Sequence, residues 1–449
     1  MEETITANFI DSIYDFSRQE FPADVLQEAK NCLLDYIGCT MIGASVLRNE
    51  TASYLNKMAI DRGRCTVIGT NRKADVLTAA FLNGFHSHYI ELDDGHRFGM
   101  IHIGSVVISA ILPFVQDNGL SGDDLLRGIV TGYEATIRLS SAIQPGHKKK
   151  GFHATGTCAC IGAAIGAAAA IGYEKALYNP VICAAATSAA GLLEMSDGGS
   201  KLKPYTIGHA AMAAINAVCF ANEALDGPKD ILGGDRGFFK ACAENVDLNR
   251  LLKPCETGYA IKTIYRKPYA ACRHAHGAVE AALRICEDND IDLNDIQEVL
   301  IEIYDLALKG HDHTEILNTD SAKMSIPYGV ASAICFGKVN YEQFSDACIN
   351  DERIKKVLKK IMIIENKELS ALVPDKRASI VTIKTAEASY TCRADYPYGE
   401  PENPLSREAL EEKYYSLMAS SGKDRELSKE LLNWIYNIEK DLNVFLIKL

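Results

Sequence analysis

From Cys158 to Gly172 the chain reads CACIGAAIGAAAAIG, a run without a single charge and made almost entirely of small side chains. Such a run has no large side chain to cover itself with, so it is stable only where neighbouring backbones come close on all sides. It falls short of the roughly 18 to 20 residues that a bilayer span needs. Gly162 and Gly166 lie one helical turn apart, and a helix missing those two Cβ atoms lets a second helix approach closely. The run therefore predicts a buried helix at the centre of a helical core, and the rest of the fold has to supply its walls.

The flanking sequence provides them. Apolar residues recur at helical spacing over residues 4–20, 23–45, 47–62 and 74–88. They do so again over 106–119, where Pro113 is expected to kink the helix, and over 121–143, 179–194 and 209–225. Ser121 followed by Asp123 and Asp124 reads as a capped helix start. RCTVIG at 64–69 is short and β-branched, a connector strand. After Lys262 the pattern changes: 296–308 contains strand alternation, and 379–397 reads as two strands about a polar turn, with helices at 277–287, 326–336 and 341–348. Two amphipathic helices follow the proline-rich stretch at 397–405. The expected fold is mainly α: an all-helical domain from 1–262 and 400–449, and a smaller α+β domain from 263–399.

At 449 residues the chain has room for more than one core. A formal charge of −12 opposes binding to nucleic acid or an anionic membrane, since both repel such a surface. The N-terminal stretch is acidic, with neither a basic region nor a small-residue cleavage site, so a cytoplasmic protein is expected. The 14 cysteines are scattered, with no CxxC, and read as reduced, mostly buried thiols rather than disulfides or a metal cluster.

Titratable groups crowd one stretch, Glu91 to Ser105, which reads ELDDGHRFGMIHIGS. Glu91, Asp93, Asp94, His96, Arg97 and His102 lie beside apolar segments, where charge is costly to bury without a task. The bland reading, Asp94 capping the next helix and His96 a structural link, is weighed against the glycines at 95, 99 and 104, which suit a loop approached by a ligand. Other candidates are His153 in GFHATGT, Lys203 in SKLKPYTIGHAA, Arg273, His274 and His276 in RKPYAACRHAHGAVEAA, and Tyr328 in KMSIPYGVA. The HxH pair lacks partners at metal-ligand spacing, which favours proton transfer or anion binding. HDH at 311–313 reads as a surface loop.

Taken in order, ELDDGHR with His102-x-Gly104, GFHATGT, KPYTIGHAA, RGFF at 236–239 and KPYAACRHAHGAVEAA resemble the MmgE/PrpD family over essentially the whole chain. The resemblance implies a large helical domain with an α+β lid, a homodimer, and chemistry on di- or tricarboxylates without a metal or organic cofactor. It also implies a site between the domains. Carried over by position, His102, His153, His274 and Tyr328, with Asp93 or Asp94, become the catalytic candidates. Glu91, Lys203, Arg273 and His276 become substrate-binding ones. Two departures stand out: the family often has His-Pro-Gly where this chain has His102-Ile103-Gly104, and histidine where it has Thr206. The reaction expected first is dehydration of a 2-methylcitrate-like hydroxy acid. Decarboxylation of the cis-aconitate type and epimerisation of an imino- or amino-dicarboxylate are alternatives, and a catalytically silent binding relative is the contrasting class.

Overall fold

The computed structural model describes residues 4–60, 62–195, 200–221 and 226–441. The protein is mainly α, with a larger helical unit and a smaller α+β unit. The first comprises Met1–Glu194, Leu202–Ile264 and Ser406–Leu449, and the second Met195–Lys201 and Tyr265–Leu405.

In chain order the helical unit contains α1 (Ile5–Ser17), α2 (Ala23–Val46), α3 (Arg48–Lys57), α4 (Val76–Tyr89), α5 (Gly104–Asn118), α6 (Gly122–Ile143), α7 (Ala154–Ala170), α8 (Tyr178–Ser188) and α9 (Lys203–Ala221). Two strands, β1 (Cys65–Thr66) and β2 (Lys73–Ala74), pair antiparallel ahead of α4. Helix α7 is the small-residue run, buried along its whole length, with α5, α6, α8 and α9 packed on it. The reason is steric: a Cβ on Gly162 would lie 1.9 Å from Thr136 Oγ1 and 2.8 Å from Thr136 Cα, and one on Gly166 would lie 2.7 Å from the Gly128 carbonyl oxygen. Ser121 caps α6 in a reciprocal box with Asp124. The helices Arg407–Ser420 and Arg425–Tyr436 pack on α2. Among the described residues no helix is long and apolar enough to cross a membrane.

In the α+β unit, strands β3 (Glu298–Ile303), β4 (Ile361–Glu365), β5 (Ser379–Lys384) and β6 (Ser389–Ala394) form one sheet in the order β4-β3-β5-β6, parallel only between β3 and β4. Val299, Ile301 and Ile303 alternate inward from β3, and Val381 and Ile383 from β5. Helix α10 (His276–Asp288) lies on β5 and β6, and α11 (Ile326–Phe336) packs against α10.

Some expected boundaries move. Helix α3 ends at Lys57, and α8 ends at Ser188, because the chain then runs extended so that the Gly191 carbonyl accepts from His153 N at 3.1 Å and Leu193 N donates to the Gly151 carbonyl at 2.8 Å. Helix α9 begins at Lys203, earlier than periodicity indicates, and the end once expected at 225 lies outside the described residues.

Two outcomes follow from this packing. Gly162→Ala should destabilise the protein by about 1–3 kcal/mol or more, because the Thr136 backbone has no room to yield; an unchanged melting temperature would contradict it. His86, within α4 and fully buried against Thr51 Oγ1 at 2.8 Å, has its pKa pushed down to about 3 by burial. The folded ring stays neutral while the unfolded one takes a proton below about 6.5, so its contribution is intact above that pH and is lost as pH falls, by about 1.4 kcal/mol per unit. Thermal denaturation between neutral and mildly acidic pH should therefore show a shallower pH slope for His86→Asn than for the parent.

Candidate active site

Helix α4 delivers the charged stretch. Asp75 caps its start, and at its end Glu91 adopts φ 55°, the left-handed conformation usually left to glycine. A non-glycine residue there costs about 1–2 kcal/mol, so the Glu91 side chain must contribute something glycine cannot. Its Oε1 carries the Lys203 ammonium and lies 3.2 Å from His88 Nε2. Lys203 reaches it from the first turn of α9.

His88, in the last turn of α4, is buried between two carboxylates. Its Nδ1 lies 2.8 Å from Asp93 Oδ2. Burial alone would lower its pKa, but Asp93 and Glu91 together outweigh burial and raise it, so the imidazolium is favoured. Asp93 also accepts from Ser105 Oγ at the start of α5, and its Oδ2 lies 3.6 Å from His102 Nδ1. The His102 ring packs edge-on against His88 with centroids 4.7 Å apart. Its Nδ1 is 2.9 Å from the Asp94 carbonyl oxygen, an acceptor only, so Nδ1 carries a proton.

Asp94 itself does not join this cluster as an acid. Its Oδ1 accepts from Gly104 N at 2.9 Å and Ile103 N at 3.3 Å, capping α5, while Oδ2 accepts from Tyr133 at 2.5 Å. Burial raises its pKa to about 6, against those hydrogen bonds. The bland reading of Asp94 as a cap is the one observed. His96 is likewise structural, its Nδ1 accepting from Gly99 N at 3.1 Å. Nor do Gly99 and Gly104 leave room for a ligand: a Cβ there would meet Ser140 Oγ at 2.4 Å and the Tyr133 hydroxyl at 2.5 Å.

His153 stands at the start of α7 as its N-cap residue. Thr206 Oγ1 donates to the Lys203 carbonyl at 3.0 Å, so it accepts from His153 Nδ1 at 3.2 Å. The neutral ring is thereby held with its lone pair on Nε2, which makes no hydrogen bond among the described residues. Burial, reinforced by Lys203, His88 and His102, pushes its pKa well down. Two imidazoles in one cluster are thus driven in opposite directions, a pattern that separates proton-donating from proton-accepting roles.

Five sequence candidates, Glu91, Asp93, His102, His153 and Lys203, are brought together in the helical unit. Asp94 lies in the same unit, and the remaining four, Arg273, His274, His276 and Tyr328, lie in the α+β unit. Arg273, expected to hold an anion, is already paired with buried Glu400, its Nε 2.6 Å from Oε1. Tyr328, expected as a proton donor, is buried with its hydroxyl donated to the Gln343 carbonyl at 2.5 Å, so it is a core residue of its own unit. His276 faces the Ala271 carbonyl at 3.2 Å. His274 has Nδ1 2.6 Å from the Tyr304 hydroxyl and its ring beside His311, which brings the HDH segment out of the role of a bare surface loop.

His88, Ser105 and Thr206 were missed as members of the cluster. His88 had one signal, its position five residues before Asp93 at the end of an apolar helix. His88, Glu91 and His102 lie within metal-ligand reach of one another. The Lys203 ammonium already occupies Glu91, however, which makes this a poor cation site and a better place for an anion.

Two family models match most of the chain. The model of the MmgE/PrpD N-terminal domain matches residues 7–251, and that of the MmgE/PrpD C-terminal domain matches residues 269–435. A cis-aconitate decarboxylase-like protein, oryM, of Aspergillus oryzae is 25% identical over 99% of this chain and 96% of its own. A cis-aconitate decarboxylase of Aspergillus terreus is 24% identical over 97% and 93%, and one of Homo sapiens is 24% identical over 98% and 92%.

In a pH titration followed by histidine-selective NMR, His88 should titrate above the ordinary 6.5 and return toward or below it in Asp93→Asn. A His88 signal unmoved by that substitution would contradict the pairing.

Proposed function

The chain belongs to the MmgE/PrpD family, and we propose that it is a lyase that decarboxylates a cis-aconitate-like tricarboxylate without a metal or organic cofactor. The observation that carries this reading is the Lys203 ammonium held on Glu91 beside two imidazoles of opposite protonation bias. The names of relatives matched over nearly their whole length support the choice of reaction.

Loss of carbon dioxide breaks a carbon–carbon bond and leaves its electron pair conjugated with a neighbouring carboxylate. Lys203 would stabilise that charge, since a fixed cation in a water-poor site acts far more strongly than in solution. The carbon must then gain a proton. His153 rests with a lone pair on Nε2 and supplies none, so the donor role falls to His102, which would deliver the proton from Nε2 as the imidazolium, with its Nδ1–H on the Asp94 carbonyl and the Asp93 carboxylate 3.6 Å from Nδ1. The His88 imidazolium keeps Asp93 and Glu91 from adding net negative charge where an anion must bind.

A second reading has its own support. A neutral imidazole with a basic Nε2 suits removal of a proton beside a carboxylate, which is the first step of dehydrating a 2-methylcitrate-like hydroxy acid and also of an epimerisation, where a proton then returns to the opposite face of the carbon. A homodimer and a cytoplasmic setting belong to the same proposal.

Purified protein given carboxyl-labelled cis-aconitate should release labelled carbon dioxide, and Lys203→Ala should lower kcat/KM by about 10²–10³-fold. Alkene absorbance from 2-methylcitrate without carbon dioxide release would move the assignment to dehydration. Solvent deuterium in a recovered, otherwise unchanged amino-dicarboxylate would move it to epimerisation. If neither turnover nor thermal stabilisation appears with any carboxylate, the lyase reading is wrong.

A further inference from the structure

In the α+β unit, Cys272, His274 and His311 each present one ligand atom, and these three atoms all lie within 4.8 Å of one another. We propose that they form a binding site for a borderline divalent transition-metal ion of the zinc class. The residue types are those such an ion selects, one thiolate and two imidazoles, with no hard carboxylate among them.

The geometry is close to what a metal would impose. Cys272 Sγ lies 3.9 Å from His311 Nε2. Tetrahedral zinc, with bonds of about 2.3 Å to sulfur and about 2.0–2.1 Å to nitrogen, separates two such ligands by roughly 3.6 Å. His311 Nδ1 lies 2.9 Å from the Met324 carbonyl oxygen, which only accepts, so the proton is on Nδ1 and the Nε2 lone pair faces Cys272. His274 Nδ1 lies 2.6 Å from the Tyr304 hydroxyl. An imidazole whose second nitrogen donates to a backbone carbonyl, as that of His311 does, is the usual state of a metal-bound histidine.

The backbone braces the same residues. Cys272 N donates to the Lys323 carbonyl at 2.8 Å, one residue before the carbonyl that fixes His311, and Ile326 N donates to the His311 carbonyl at 2.9 Å. The neighbouring charges set the conditions for binding. Arg273 is matched by Glu400, and an ion bound here would take the Cys272 sulfur as the thiolate. Three protein ligands leave a fourth position for water or an exogenous donor atom. None of this rests on the lyase proposal.

The test is titration of the full-length, reduced protein with cobalt(II). A thiolate-to-cobalt charge-transfer band should saturate at one equivalent and disappear when zinc(II) is added. Cys272→Ser should abolish the band, His311→Gln should weaken cobalt binding at least tenfold, and Cys348→Ser should leave the band intact. No band at one equivalent in the wild-type protein would overturn the proposal, as would a band that survives Cys272→Ser.

Discussion

A buried line of alternating charge, Lys203 on Glu91, Glu91 facing His88, and His88 on Asp93, sets the terms for the helical unit. Removing one member of such a group leaves its neighbour buried and unmatched, which typically costs 3–5 kcal/mol. Local structure bends to keep the line whole. Helix α4 stops where Glu91 can turn back on it, at the cost of a left-handed residue. Helix α9 starts at Lys203, so the ammonium arrives from a first turn rather than a mobile loop.

Around that line, side chains that resemble catalytic groups in sequence serve as its supports. Asp94 ties α5 to Tyr133 of α6. Lys413, on the helix Arg407–Ser420, holds the Leu92 carbonyl at 2.8 Å and Asp35 of α2 at 2.5 Å, so the C-terminal segment helps fix the loop between Glu91 and Asp93. The small residues of α7 allow the helices carrying these groups to close on one core. What the packing yields is two histidines with opposed preferences: His88, drawn toward the imidazolium by two carboxylates, and His153, kept neutral by burial and nearby cations. A carboxylate brought into this balanced group adds negative charge and should draw a proton onto one of its histidines.

Much of the fold is legible in the sequence because its signals are local. The uncharged run of α7, the Ser121 capping box and the alternation of β3, β5 and β6 each specify their element without help from distant residues. Strand β4 is not legible: Ile361–Glu365 follows a lysine-rich helix, occupies the sheet edge and has no apolar–polar alternation in its sequence IMIIE, so only pairing with β3 defines it. The cluster is legible in kind but not in detail. Glu91, Asp93, His102, His153 and Lys203 are recognisable from motifs, whereas the division of labour between Asp93 and Asp94 depends on which carboxylate meets the start of α5. The role of His88 depends on two carboxylates folding back over it. Tyr328 and Arg273 carry the right chemistry, but their tertiary partners, Gln343 and Glu400, are remote in sequence.

The most direct measurement of whether Lys203 receives a substrate carboxylate is calorimetric titration with cis-aconitate near neutral pH in buffers of differing ionisation heat. Net proton uptake on binding, lost together with the binding heat in Lys203→Ala, is the expected result. Binding without proton uptake, and unchanged by Lys203→Ala, would contradict it.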